Sequence, residues 1–264
     1  MIEILPTKIF EVDLFLLYVL TLMRISGFLV SMPVLGSRNI PMVVKAGLAG
    51  ILALTITPLI PPLQSEFPKT LSNFIVIGTL EILIGVGMGF IVSIMFAGVQ
   101  VAGELMDLQT GFGIMNIFNP AMETQFPIFG FFLFLLWAMF FLLINGHLYI
   151  IKVLTESYKI LPIGTIYTPQ ENFGLGIAKL GSVIFIYGVR LAGPVLVAML
   201  LTYAVLGVFG RAVPQINLLI IGFPITIGLG FIILAVCIGV YVGVFEEMIN
   251  ESIREVRTFI RGLG

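Results

Sequence analysis

Charge is what this sequence has least of. Of 264 residues only 10% are Asp, Glu, Lys or Arg, while 59% are hydrophobic. A soluble domain carries roughly 25% charged residues, because its surface must be solvated. The mean hydropathy of +1.17 points the same way. There are too few charges here to cover a surface facing water, so the outside must meet lipid or apolar protein. The 13 basic and 14 acidic side chains nearly cancel and form no basic stripe, which argues against nucleic acid as a partner. Cysteine is nearly absent. The single Cys237 sits inside an apolar run, so neither a disulfide framework nor a thiolate metal cluster is expected. It reads as a small buried apolar residue.

What is present is a series of long apolar stretches. A helix needs about 20 apolar residues to cross the hydrocarbon core of a bilayer. Six stretches qualify, at about 14–35, 42–62, 73–98, 126–151, 178–209 and 216–245. The expected fold is all-α: a single polytopic membrane domain over 1–264 with no soluble catalytic domain. The N-terminus has Glu3, Glu11 and Asp13 in place of a basic region, so the first stretch reads as a retained span rather than a cleaved signal. The last two stretches are too long for one perpendicular span, and Pro194 and Pro224 are the candidate kinks. Counting Lys and Arg outside the spans, with Lys45 and Lys179 snorkelling to opposite sides, gives 8 on the side of both termini against 3. The positive-inside rule then places the termini in the cytoplasm. Residues 246–263 differ in kind. Ile249, Ile253, Val256 and Ile260 recur at helical spacing opposite Glu251, Arg254, Glu255 and Arg257, an amphipathic helix for the membrane interface or for a partner.

Many of the 29 glycines lie within apolar stretches. Gly78, Gly85 and Gly89 share one helical face, and Gly239 and Gly243 form a second small-residue pair. Such faces let backbones approach where no hydrophobic effect drives helices together. Three ionisable residues, Arg24, Glu81 and Arg190, fall inside spans and must pair or face a wet cavity. Glu81 lies one turn before Gly85, bordering the close-packed face. A structural ion pair with Arg24 or with Arg190 is favoured over a proton relay, which needs a chain of acidic or His groups. His147 is the lone histidine and has no second ligand nearby in sequence, so no metal site is expected. Neither a Ser/His/Asp set nor a P-loop can be assembled.

The stretch 98–127 is the most unusual. It is too polar to cross lipid as an ordinary helix and too rich in Phe, Ile and Met for a solvated loop. Gly111 and Gly113 lend it flexibility, and Met106, Met115 and Met122 can deform to fit several packings. A plug-like loop over about 104–122, either a movable obstruction or a partner-binding loop, fits this composition, and so does an ordered hairpin outside the membrane.

Several blocks also carry a resemblance. Arg24, Pro33 and Pro41 to Lys45 come first, then Glu81 with Gly85 and Gly89-Phe90. Gly103-Glu104, Leu108 to Phe112 and Asn119-Pro120 follow. Next is Asn145-Gly146-His147-Leu148 with Leu161-Pro162-Ile163-Gly164, and last Pro214-Gln215-Ile216-Asn217 through Gly222-Phe223-Pro224. In this order they resemble the FliR/SctT family of type III secretion export-gate proteins across nearly the whole chain. Asp107 departs from the pattern, which has a small residue there.

The resemblance implies a chain built of helical hairpins that joins FliP and FliQ in an export channel, with FlhB and FlhA nearby. Unfolded flagellar subunits would cross the bacterial inner membrane through it, at the flagellar basal body, with no cofactor and no catalysis by this chain. The central segment Gln109, Thr110, Gly111, Phe112, Gly113, Ile114 and Met115 would be the pore plug. The family-motif positions are Asn145, Gly146, His147, Pro162, Pro214, Gln215, Gly222 and Pro224. The alternatives are a virulence-type homologue, a secondary transporter for a small solute, and a membrane enzyme using His147 or Glu81.

Overall fold

The computed structural model describes residues 12–33, 35–37, 40–60, 70–113, 127–164, 173–215 and 217–263. Among these residues there is no strand. The helices are α1 (Val12–Ser31), α2 (Met42–Ile56), α3 (Leu71–Thr110), α4 (Ile128–Leu143), α5 (Gly146–Ile160), α6 (Phe173–Ala212), α7 (Leu218–Val236) and α8 (Ile238–Leu263). One 3₁₀ turn, Thr57–Leu59, extends α2. Prolines mark two starts: the Pro41 carbonyl accepts the Val44 and Lys45 amides, and Pro127 accepts that of Phe131. A proline suits this place because the first helical amides have no partner within the helix.

By length and composition four helices could cross a membrane, and six spans result if each of two bent pairs counts as one. This bears out the polytopic all-α reading, with changes of detail. The third apolar stretch is only part of α3, which like α6 runs for 40 residues. At 1.5 Å per residue each is about 60 Å long, roughly twice the hydrocarbon thickness. The fourth stretch is broken into α4 and α5, with Ile144 and Asn145 between them. Asn145 makes the break with φ of 58°, a left-handed conformation that Asn tolerates better than most side chains.

The last stretch bends by 63° between α7 and α8. The break falls at Cys237 and not at Pro224, which lies within α7, while α6 runs unbroken through Pro194. At the break the Cys237 carbonyl accepts the amides of Val240 and Tyr241, restarting the helix in a new direction. Pro224 is the seventh residue of α7 and Pro194 the twenty-second of α6, so each removes one backbone donor from its helix without ending it.

The chain forms two compact units. The first comprises Met1–Ser93, Gly146–Ala178 and Glu251–Gly264, and the second Ile94–Asn145 and Lys179–Asn250. Helices α3 and α8 contribute to both. In the first unit α3 packs on α1 through small residues: a methyl group at Gly85 would overlap the Arg24 carbonyl, and one at Gly27 the Ile82 carbonyl. By contrast, methyl groups at Gly239 and Gly243 would meet nothing among the described residues.

Lys45 donates to the Gly36 carbonyl at 2.8 Å, a local use of a lysine that the sequence suggests would snorkel. The C-terminal half of α8 is amphipathic, and its stripe is covered by this chain. Val256 and Ile260 are buried, Phe259 lies where a side chain at Gly87 would be, and Arg257 pairs with Glu156 of α5 at 3.0 Å. Periodicity reveals an apolar stripe but not what covers it, which is why the sequence favours a membrane interface over a partner for this helix.

Candidate functional site

The segment read as a plug-like loop from residue 104 begins as helix, since α3 continues to Thr110. The reason is a two-sided pattern. Ala102, Gly103, Met106, Asp107 and Thr110 are buried, while Gln100, Glu104, Leu108 and Gln109 are exposed. Three- and four-residue spacing puts each set on one helical face. The polar residues therefore need not enter an apolar layer. At the contact with α4 a methyl group at Gly103 would overlap Gly130, so the two backbones run close together.

This close approach gives Asp107 its role. Its carboxylate oxygens accept the amides of Phe129 and Gly130, each at 3.2 Å. Pro127, which precedes α4, provides no side-chain cap. The first amides of a helix need acceptors, and a carboxylate is also favoured by the positive end of the helix dipole. Asp107 therefore caps α4 from a different helix.

The other end of the same turn is built from hydroxyls. The Tyr203 hydroxyl of α6 donates to the Gln109 carbonyl at 2.6 Å, and the Thr226 hydroxyl of α7 donates to the Thr110 carbonyl at 2.8 Å. The last carbonyls of α3, which have no intrahelical donors, thus receive donors from two further helices. Gly111 ends the helix with φ of 89°, and a methyl group there would overlap the Phe223 ring. The Phe112 ring lies 5.9 Å from Phe129 and 6.2 Å from Phe231, which stack on each other at 4.6 Å. Gln109, Thr110, Gly111, Phe112 and Gly113 are thus held in an ordered turn, whereas Ile114 and Met115 lie outside the described residues, as do Asn119, Pro120 and Met122.

Glu81 pairs with Arg24 at 2.5 Å, with both side chains buried. The remaining guanidinium nitrogens donate to the Ser157 hydroxyl at 3.1 Å and to the Leu161 carbonyl at 3.0 Å. Tyr158 lies under the guanidinium at 4.3 Å, and its hydroxyl donates to the Thr21 carbonyl at 3.2 Å. The Glu81 carboxylate also accepts the Gly164 amide. Gly164 has φ of 90°, so the turn after Leu161-Pro162-Ile163 requires a residue without a side chain. Three sequence blocks far apart in the chain converge on one charged pair.

Arg190 has a different partner, Glu247 of α8, at 2.7 Å, and each side chain is 48% exposed. Gly146 is buried at the start of α5, and the His147 Nδ1 is buried without a hydrogen-bond partner. Among the described residues no group of three His, Cys, Asp or Glu could hold a metal ion. Pro162 borders the Arg24 node, and Pro214 and Gln215 form the exposed turn after α6. Gly222 is buried, a methyl group there would meet Leu206 at ordinary van der Waals distance, and Pro224 is exposed. Sequence reasoning overlooked Tyr203, Thr226, Ser157 and Tyr158. A lone threonine in an otherwise apolar helix was a usable signal for Thr226; nothing distinguished the others.

Residues 15–252 match the model of the family described as bacterial export proteins, family 1. The chain is similar to the flagellar biosynthetic protein FliR of Bacillus subtilis (strain 168), 31% identical over 256 residues that cover 96% of this chain and 98% of the relative. It is also similar to the FliR of Escherichia coli (strain K12), 32% identical over 235 residues, 89% of each chain. The FliR of Aquifex aeolicus (strain VF5) is 32% identical over 230 residues, covering 86% of this chain and 87% of the relative.

Proposed function

The chain belongs to family 1 of the bacterial export proteins, and from its likeness to FliR proteins over most of its length we propose that it is a membrane component of the flagellar protein export apparatus. In this reading it assembles with FliP and FliQ into the channel that passes unfolded flagellar subunits across the inner membrane. FlhB and FlhA lie nearby, both termini face the cytoplasm, and the chain itself catalyses no reaction. The segment from Gln109 to Met115 is the pore plug.

The observation that carries the reading is the match over residues 15–252, which includes nearly every helix. Surface chemistry supports it. Val43, Ile51, Leu54, Leu200, Val208 and Ile220 are all exposed. An apolar cavity of about 500 Å³ lies between α6 and α7, lined by Leu201, Val205, Phe209, Ile221 and Ile225 among others. Apolar surface on this scale is stable only against lipid or other subunits. Helices of 40 residues exceed what lipid alone can cover, which favours subunits for part of it.

Affinity purification of the chain from its native membrane, followed by mass spectrometry, tests the assembly. FliP and FliQ are expected in stoichiometric amounts, and a chain recovered alone in gentle detergent would sink the channel reading. For the plug, deletion of 110–115 should raise ion conductance through the assembled complex. Unchanged conductance in an intact assembly would remove that role.

A further inference from the structure

We propose that the hydroxyls of Tyr203 and Thr226 are the releasable anchors of the plug root, tying the closed position of residues 109–113 to helices α6 and α7. The inference rests on the plug reading above and adds what holds the element shut.

The last four carbonyls of a helix have no internal donors. Two of those in α3, at Gln109 and Thr110, take theirs from side chains more than 90 residues away, Tyr203 at 2.6 Å and Thr226 at 2.8 Å. Thr226 is 1% exposed and is the only side chain in α7 that can donate a hydrogen bond. Helix α7 needs no hydroxyl for its own stability, so the one it has is explained by what it touches.

Both bonds can be released without stranding a buried donor. The Thr226 hydroxyl also lies 3.1 Å from the Phe223 carbonyl of its own helix, the back-bond that threonine makes in apolar helices. Its single proton can serve either acceptor. Tyr203 is 44% exposed, so its hydroxyl can turn to another acceptor. The Gln109 and Thr110 carbonyls, once freed, can be hydrated in an open channel. Asp107 behaves differently. Its carboxylate holds two amides at the start of α4, and losing it leaves those amides with no substitute. Asp107 is therefore the fixed side of the turn and the hydroxyls are the movable side. A displacement of α6 or α7 is transmitted directly to residues 109–113.

The test uses the chain in its purified, partner-containing complex. Tyr203→Phe and Thr226→Val each remove one hydroxyl with little change of shape, and Thr226→Ser keeps the hydroxyl as a conservative control. One neutral hydrogen bond shifts a local opening equilibrium by about five-fold, and two independent ones by about 25-fold. Hydrogen exchange in peptides spanning 106–113 should rise by these factors in the single and double variants. Channel open probability in planar bilayers should rise with it, and Thr226→Ser should match the unmodified protein in both. Unchanged exchange and conductance in the double variant would overturn the proposal. If deletion of 110–113 opens the channel and the double variant does not, the anchors fail and the plug reading stands. If the deletion leaves conductance unchanged, the plug reading fails and the anchors fall with it. Tyr203→Phe keeps the test open should Thr226→Val not assemble, because the exposed Tyr203 hydroxyl can be removed without disturbing buried packing.

Discussion

The two units each contain a polar node that joins several helices, and the nodes are built from opposite chemistry. In the first unit the node is a buried ion pair. Arg24 uses its guanidinium nitrogens on Glu81, Ser157 and the Leu161 carbonyl, and it stacks on Tyr158. In the second unit the node at the end of α3 consists of neutral hydroxyls on carbonyls, one carboxylate on two amides, and three phenylalanine rings. A buried charge cannot exchange its partner for nothing, so the first node can only be kept or broken. Hydroxyls exchange acceptors readily. Partner exchange therefore separates a fixed ion pair in the first unit from exchangeable hydroxyl bonds in the second, at the segment proposed as the plug.

The largest effect is expected from Arg24→Leu. It leaves Glu81 buried without a counter-ion and should cost about 3–5 kcal/mol, seen as a large fall in thermal midpoint or as failure to accumulate in the membrane. Replacing Arg24 and Glu81 together by leucine should recover much of that loss, and a double variant as unstable as the single one would contradict the fixed ion pair. Next in size is Gly111→Ala, which asks for φ of 89° and for space held by the Phe223 ring. The expected loss is about 2–3 kcal/mol, measurable by denaturant titration in detergent, and a neutral effect would mean that the turn is not held as described.

Asp107→Ala is expected to be milder, about 1–2 kcal/mol, as for other lost helix caps. Faster hydrogen exchange confined to the first turn of α4 would identify the cap as the cause. Smallest of all should be Arg190→Ala and Arg257→Ala. Their pairs with Glu247 and Glu156 are partly exposed, and such pairs contribute at most about 1 kcal/mol. A loss comparable to that of Arg24→Leu in either variant would show that exposure in the isolated chain is covered by a partner in the assembly.

Much of this was legible in the sequence, for identifiable reasons. The shortage of charge sets the class, and the six apolar stretches lead to the helices. The position of Glu81 one turn before Gly85 already placed its carboxylate beside a close-packed face, where the structure has Arg24 and its carbonyl. What was not legible was the choice of partner. Arg24 and Arg190 look equivalent as cations within apolar runs, yet one pairs with Glu81 in the interior and the other with the exposed Glu247, 57 residues away along the chain. The segment 104–110 read as loop because its polar residues were counted without being assigned to faces. Asp107 read as a departure from a pattern, because its use as a cap depends on the neighbouring Gly103–Gly130 approach.

That this chain is helical, is apolar on most of its exterior and belongs to its family can be read from the order of its residues. Those properties follow from composition, local periodicity and ordered motifs, all of which act over a few turns of chain. The tertiary structure alone decided which charges neutralise each other, that α7 and α8 part at Cys237 and not at Pro224, and which side chains close the end of α3. Hydrogen-bond donors and acceptors are satisfied by whatever lies within about 3 Å in space, and for Thr110 that is a hydroxyl 116 residues further along the chain.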